Sequence, residues 1–153
     1  MKIILTAVLV QFIFFVNAQE NESLKVQRTI ETFFEGFHKQ DSLLLTSSLS
    51  SEVSLKTIGK NKESGKTELR EVNFNAFLHS ILSIPDSVKF QEKLLSFNIQ
   101  IDGDMAHGWT PYEFWYNDSF SHCGVNSFQL VKEKDKWSIV SIMDTRRKEP
   151  CFD

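Results

Sequence analysis

Glu113, His122 and Asn126 are the polar side chains of the C-terminal third whose types could do chemistry together. A carboxylate bonded to one imidazole nitrogen fixes the tautomer of the ring and raises the basicity of the other nitrogen. A Glu–His pair is therefore a natural general acid/base couple. The alternative is a cross-strand ion pair that only satisfies two polar groups, since such pairs perturb titration in the same way.

The spacing that would bring them together is a hairpin. Asn117-Asp118 reads as a two-residue turn between runs of alternating apolar and polar residues. It places Tyr116 opposite Ser119, and the regular register then pairs Trp115 with Phe120, Glu113 with His122, Trp109 with Asn126 and His107 with Phe128. Alternation puts all of these on one face. The other face (Phe114/Ser121, Tyr112/Cys123, Thr110/Val125, Gly108/Ser127) is smaller, so the bulkier face is expected inside. There Glu113, His122 and Asn126 form a polar island ringed by Trp109, Trp115, Phe120 and Phe128, the composition of a ligand pocket. A last strand over 137–143, after a Lys134-Asp135 turn, sets Ile139 beside Leu130, Ser141 beside Phe128 and Met143 beside Asn126, so Met143 joins the wall. The expected catalytic pair is His122 and Glu113. The expected ligand contacts are Trp109, Glu113, His122, Asn126 and Met143, with Phe33 and Phe37 closing the opposite side.

Other chemistries fit less well. His122 and Cys123 are strand neighbours that point to opposite faces and cannot share one ion, and His107 has no second ligand close in register, so no metal is expected. A Cys123 nucleophile would face Tyr112, a poor base. Asp144 and Arg146 share the other face, as a surface ion pair or subunit contact. No glycine-rich phosphate loop is present and no cofactor is expected.

These strands need a scaffold, and the preceding sequence supplies one. Val26, Ile30, Phe33 and Phe37, widened by Phe34, make the apolar stripe of a helix over 24–39, with Ser23 as cap. Asp41 caps a short helix through Leu43, Leu44 and Leu45. Val53, Leu55 and Thr57 alternate as a first strand, and a Lys-rich loop over 59–67 follows at the rim. Asn73 caps a third helix with Phe74, Phe77, Leu78 and Ile81 on one face and His79 off it, ending before Pro85. Leu95 to Ile101 alternates as a long strand. A three-residue loop through Asp104 would pair Ile101 with Met105 and keep the apolar residues together.

The length of 153 residues suits one domain, and 41% hydrophobic with 24% charged residues is an ordinary globular composition. Residues 1–18 read as a signal peptide: Lys2, an apolar run from Ile3 to Val16, then small residues up to Ala18. That run falls short of the roughly 20 residues a spanning helix needs. The expected domain is 19–153, exported to the periplasm or beyond. Losing Lys2 takes the net charge from −3 to −4, which argues against nucleic acid and anionic membrane as partners. An oxidising compartment permits a disulfide between the two cysteines, Cys123 and Cys151. Geometry decides it, since bridging needs Cα atoms within about 7 Å. The alternative is one buried and one exposed thiol.

Helix, short helix, strand, rim loop, helix and then long antiparallel strands is an order that resembles the nuclear transport factor 2-like superfamily. Tyr112-Glu113-Phe114, Ser121-His122-Cys123-Gly124 and Ser141-Ile142-Met143-Asp144-Thr145-Arg146 are similar to three strands of its bacterial lumazine-binding branch. Members of that branch often have Asp where this chain has Asn126. The resemblance implies an α+β cone: a curved antiparallel sheet wrapped around N-terminal helices, with a cavity inside. It also implies sheet-to-sheet homodimers. The face carrying Thr110, Tyr112, Phe114, Val125, Val140 and Ile142 is too apolar for free solvent and would be the contact. The superfamily hosts isomerases, dehydratases, hydrolases and pure binding modules on one scaffold. The expected function is an exported domain binding a small organic ligand in an aromatic-lined pocket. The alternatives are an acid/base enzyme using His122 and Glu113, and a structural or interaction module.

Overall fold

Sequence periodicity and turn chemistry account for most of the architecture. The computed structural model describes residues 22–149 and Cys151; the expected signal peptide lies outside them. Helix α1 (22–39) already runs at Glu22, so Ser23 lies inside it and does not cap it. Its stripe of Val26, Ile30, Phe33, Phe34 and Phe37 is buried. Helix α2 (Ser42–Ser47) is capped by Asp41, which accepts from Leu44 N. Helix α3 (Phe74–Leu82) is capped by Asn73, which accepts from Ala76 N.

Seven strands follow or interleave: β1 (Leu49–Lys60), β2 (Thr67–Val72), β3 (Phe90–Leu94), β4 (Asn98–Asp102), β5 (Met105–Tyr116), β6 (Ser119–Glu133) and β7 (Lys136–Thr145). They form one sheet in the order β2-β1-β7-β6-β5-β3, with β4 also pairing β5, and β1 runs parallel to β7. The rim loop is thus a hairpin, β1–β2, whose second strand is almost wholly exposed. Of the long strand expected over 95–101 only the second half is strand, as β4, and β3 precedes it as a strand the sequence did not announce. β3 and β4 pair successive halves of β5 and break opposite Pro111, which has no N–H to donate. Across the β4–β5 turn, Gly103 takes φ +58°, Asp102 pairs with Met105 and Ile101 with Ala106. That register replaces the expected pairing of Ile101 with Met105.

Asn117-Asp118 and Lys134-Asp135 all have positive φ, as two-residue turns that match strand twist require. Tyr116 pairs with Ser119 and Trp115 with Phe120, as expected. A bulge at Ser121 then shifts the register by one, so that Phe114 pairs with His122, Tyr112 with Gly124, Thr110 with Asn126 and Gly108 with Phe128. One extra residue reverses every face beyond it. The bulged register sets a bulky side chain against a small one at Tyr112/Gly124, Gly108/Phe128 and Ala106/Leu130, and Gly108 leaves room for Ile30 of α1. Irregularities between β6 and β7 and between β1 and β7 add to the curvature.

The concave face therefore holds Thr110, Tyr112, Phe128 and Ile142, all buried, with Phe128 and Ile142 in one core cluster with the α1 stripe. Thr110, Tyr112, Phe114 and Ile142, expected on the outside as a dimer contact, lie on this inner face. Of that set, Val125 is outside, opposite Pro111. The convex face shows Trp109 and Met105 exposed.

The two cysteines are joined. Cys123, fully buried, is bonded to Cys151 with Cα atoms 5.7 Å apart. The tail beyond β7 turns alongside β6, where Cys123 and Arg147 exchange both backbone hydrogen bonds at 2.9 Å.

Candidate functional site

A cavity of about 260 Å³ opens between α1, α3 and the concave face. Its apolar wall is phenylalanine: Phe33, Phe34 and Phe37 from α1, Phe77 from α3 and Phe114 from β5. The rings of the two helices pair with one another. Phe77 lies nearly parallel to both Phe33 (6.5 Å, 8°) and Phe37 (6.2 Å, 6°). Its polar wall comes from three strands: Glu92 (β3), His122 and Asn126 (β6), and Asp144 at the end of β7 with Arg146 just beyond it.

Of the expected contacts, the structure brings His122, Asn126, Phe33 and Phe37 together at this cavity. Three it does not. Trp109 and Glu113 pair with Ser127 and Cys123 on the convex face, and Met143 pairs with Ser127 on that same face. Glu113 accepts from Trp115 Nε1 at 2.9 Å, and the Trp115 ring carries Lys93 4.1 Å from its centroid. The His122–Glu113 couple is therefore not assembled, because the bulge at Ser121 separates the two faces. Asp144 and Arg146, expected on the outer face, are an ion pair at 2.8 Å that lines the cavity.

The carboxylate that the sequence reading missed is Glu92. Phe90, Glu92 and Leu94 alternate with the exposed Gln91 and Lys93 along β3. Glu92 pairs with Phe114 on the inner face, and its Oε1 accepts from Asn126 Nδ2 at 2.6 Å. Its backbone N–H donates to His38 Nε2 at 2.9 Å, so α1 fixes the strand that carries it. That bond requires the His38 proton on Nδ1, and burial holds the ring below its ordinary pKa. Burial pushes the Glu92 carboxyl up to about 7; the Asn126 bond opposes this and Asp144 adds to it.

His122 stacks on Phe114 (4.9 Å, 27°) and meets the Tyr112 ring edge-on. Its Nδ1 lies 3.1 Å from Ser121 Oγ. Burial, then the Arg146 charge, lowers its pKa, so the ring is neutral near pH 7. Tyr112 reaches beneath β6 to β7, its hydroxyl donating to Thr145 O at 3.0 Å and lying 3.4 Å from Asp144 Oδ2. Gly124 permits this crossing: a Cβ there would lie 1.8 Å from Thr145 O and 2.8 Å from the Tyr112 ring. Gly124→Ala should lower stability by about 1–3 kcal/mol through overpacking, read as an earlier urea midpoint. An unchanged midpoint would show that the strands give way without cost.

No protein-family model matches the sequence, and no curated protein matches it. Solved structures do match. Rv3472, a protein of unknown function from Mycobacterium tuberculosis, superposes with TM-score 0.66 at 15% identity over 86% of this chain and 75% of its own. A candidate dehydratase of the nuclear transport factor 2-like family from Streptomyces avermitilis gives 0.63 at 13% over 84% and 98%. A candidate ketosteroid isomerase from Shewanella frigidimarina gives 0.55 at 18% over 78% and 94%. The chain has the nuclear transport factor 2-like cone fold. The α+β cone expected from the order of elements is thus the one found, an unclosed curved sheet around N-terminal helices.

Proposed function

We propose that this chain is an exported domain that binds a small organic molecule in the phenylalanine-walled cavity. The observation that carries the reading is the cavity itself: an apolar slot with convergent polar groups, Glu92, Asn126 and His122, at one side. Its size, about 260 Å³, sits just under the ~300 Å³ at which ordinary ligand pockets begin, so the ligand is small. A purely structural module is disfavoured because Trp109 and Met143 lie on the convex face and do not fill the space. The Cys123–Cys151 bridge supports an oxidising compartment. Native mass spectrometry of freshly purified protein should find a small molecule that co-purifies and is lost on Phe77→Trp, which narrows the slot. A clean apo mass, with no thermal shift from any small aromatic, would remove the reading.

A second reading is an acid/base enzyme of the isomerase, dehydratase or hydrolase kind, with Glu92 in the role first expected of Glu113. The observation favouring it is the Glu92 carboxyl near 7, where a general base exchanges protons readily at neutral pH. Two structural neighbours carry enzyme names of that kind. Deuterium exchange into the α-carbon of small ketones, abolished by Glu92→Gln, would establish it.

The homodimer remains a proposal, now resting on Met105 and Trp109 of the convex face, 62% and 46% exposed, against which a second copy would pack. Light scattering should give twice the chain mass at micromolar concentration; a monomer would refute it.

A further inference from the structure

We infer that the ligand of this cavity is a small primary amine, its ammonium held by the oxygens of Glu92, Asn126 and Asp144 and its apolar body laid against the phenylalanine wall; this rests on the binding function above. The polar end follows from acceptors left open. Glu92 Oε1 accepts from Asn126 Nδ2 at 2.6 Å, which leaves Glu92 Oε2 and Asn126 Oδ1 without a donor among the described residues. Asp144 takes both of its bonds, from Arg146 Nε and the Tyr112 hydroxyl, on Oδ2, so its Oδ1 is open among the described residues as well. The register sets Asn126 beside Asp144 on the concave face, and all three residues line the cavity. Thr57, next to Asp144 across β1 and β7, adds a buried Oγ1 that has no partner. A primary ammonium brings three N–H donors and no acceptor, the complement of such a cluster.

Charge points the same way. Lys56 pairs with Met143 and Glu71 on the convex face, so Arg146 is the cavity's cation among the described residues, and it is already paired with Asp144 at 2.8 Å. Burial, then the Arg146 charge, keeps His122 neutral at pH 7 and above. With Glu92 ionised, two carboxylates therefore face one guanidinium, and the surplus negative charge lies at Glu92. An arriving ammonium supplies the charge that is missing. A carboxyl that titrates at about 7 gives up its proton to such a partner at little cost near neutrality, and above that pH it has already lost it. A carboxylate ligand would instead meet Glu92 and Asp144 as like charges.

The rest of the molecule must be apolar and short. Phe77 packs against Phe33 and Phe37 at 6.5 and 6.2 Å, so nothing enters between these rings and the ligand lies against them from the cavity side. Phe114, stacked on His122, continues that surface up to Glu92, its partner in the β3–β5 register. An ammonium that meets a ring face there gains further from the negative charge of the face. The volume of about 260 Å³ keeps the whole molecule small.

The test is NMR titration of the full chain at pH 8 with 3-methylbutylamine, 3-methylbutan-1-ol and 3-methylbutanoate, which share an apolar body and differ at the polar end. Wild type is compared with Glu92→Gln, each checked for native circular dichroism; glutamine keeps an oxygen for Asn126 and loses the charge. The amine should bind about tenfold or more tightly than the alcohol, as charge-assisted against neutral hydrogen bonds allow, and the carboxylate should not bind. In Glu92→Gln the ratio of amine to alcohol affinity should fall about tenfold. An alcohol that binds as well as the amine, a preference for the carboxylate, or a ratio that survives Glu92→Gln overturns the inference and leaves the binding function standing. If none of the three binds, the molecule that co-purifies decides. One with a primary amine upholds the inference, one without overturns it, and none at all removes the binding function as well.

Discussion

Cys151→Ser, or reduction of the wild-type bridge, should lower stability by about 3–4 kcal/mol and loosen the cavity at the same time. The bridge closes a loop of 28 residues. The chain-entropy estimate for such a loop is between about 3 kcal/mol for 15 residues and 4.7 for 100. The loop consists of most of β6, the Lys134-Asp135 turn, β7 and the returning tail. Without the bond, the tail is held beside β6 by the paired backbone bonds of Cys123 with Arg147 and by Arg147 Nη2 on Cys151 O. Arg146 hangs between that tail and β7, its own N–H on Ile58 O. Losing the anchor therefore frees a cavity-lining cation as well as a chain end. Urea titrations with and without reductant should show the midpoint fall, and amide exchange should rise first at residues 144–147. A reduced protein with an unchanged midpoint would mean that the hairpin is already closed in the unfolded chain.

The helices, both β-turns and the pairing at the mouth of the hairpin were legible because each depends on local chemistry. Asn73 and Asp41 cap the helices they precede, and Asn117-Asp118 takes the positive φ values its residue types tolerate. The bulge was not legible, because Ser121 is as ordinary in a strand as in a bulge. Its only trace is non-local: the shifted register lets Gly124 receive Tyr112 and Gly108 receive Phe128. That one residue decided the site. It kept His122 and Asn126 inside, together with the phenylalanines of α1, and sent Glu113 and Trp109 out. It also reversed the expected dimer face, since the apolar side of the hairpin proved to be the core. β3 was lost for another reason. Its sequence, FQEKL, is compatible with helix by propensity, and only pairing to β5 makes it a strand.

Glu92→Gln should become steadily more stable than wild type as pH rises from 4.5 to 7, reaching a gain of about 2–3 kcal/mol at pH 8. The folded carboxyl titrates at about 7, against an ordinary value of 4.5. Its pKa is raised on folding, so the folded state holds the proton more tightly between those values. The stability linked to Glu92 is then fully present below pH 4.5 and is lost as pH rises through 7. At about 1.4 kcal/mol per unit the whole window is worth about 3 kcal/mol. Glutamine imitates the protonated acid: its Oε1 can accept from Asn126 as the carboxyl oxygen does, and it has no charge to desolvate. His38 and His122 contribute a slope of opposite sign. Their lowered pKa values give stability above pH 6.5 that is lost as pH falls. Both histidines remain in the variant, so the difference between the two proteins isolates Glu92. Urea titrations of both at half-unit steps from pH 4.5 to 8.5 supply the measurement. A difference that stays flat across that range would mean that water reaches the carboxyl and Glu92 ionises as it does in solution.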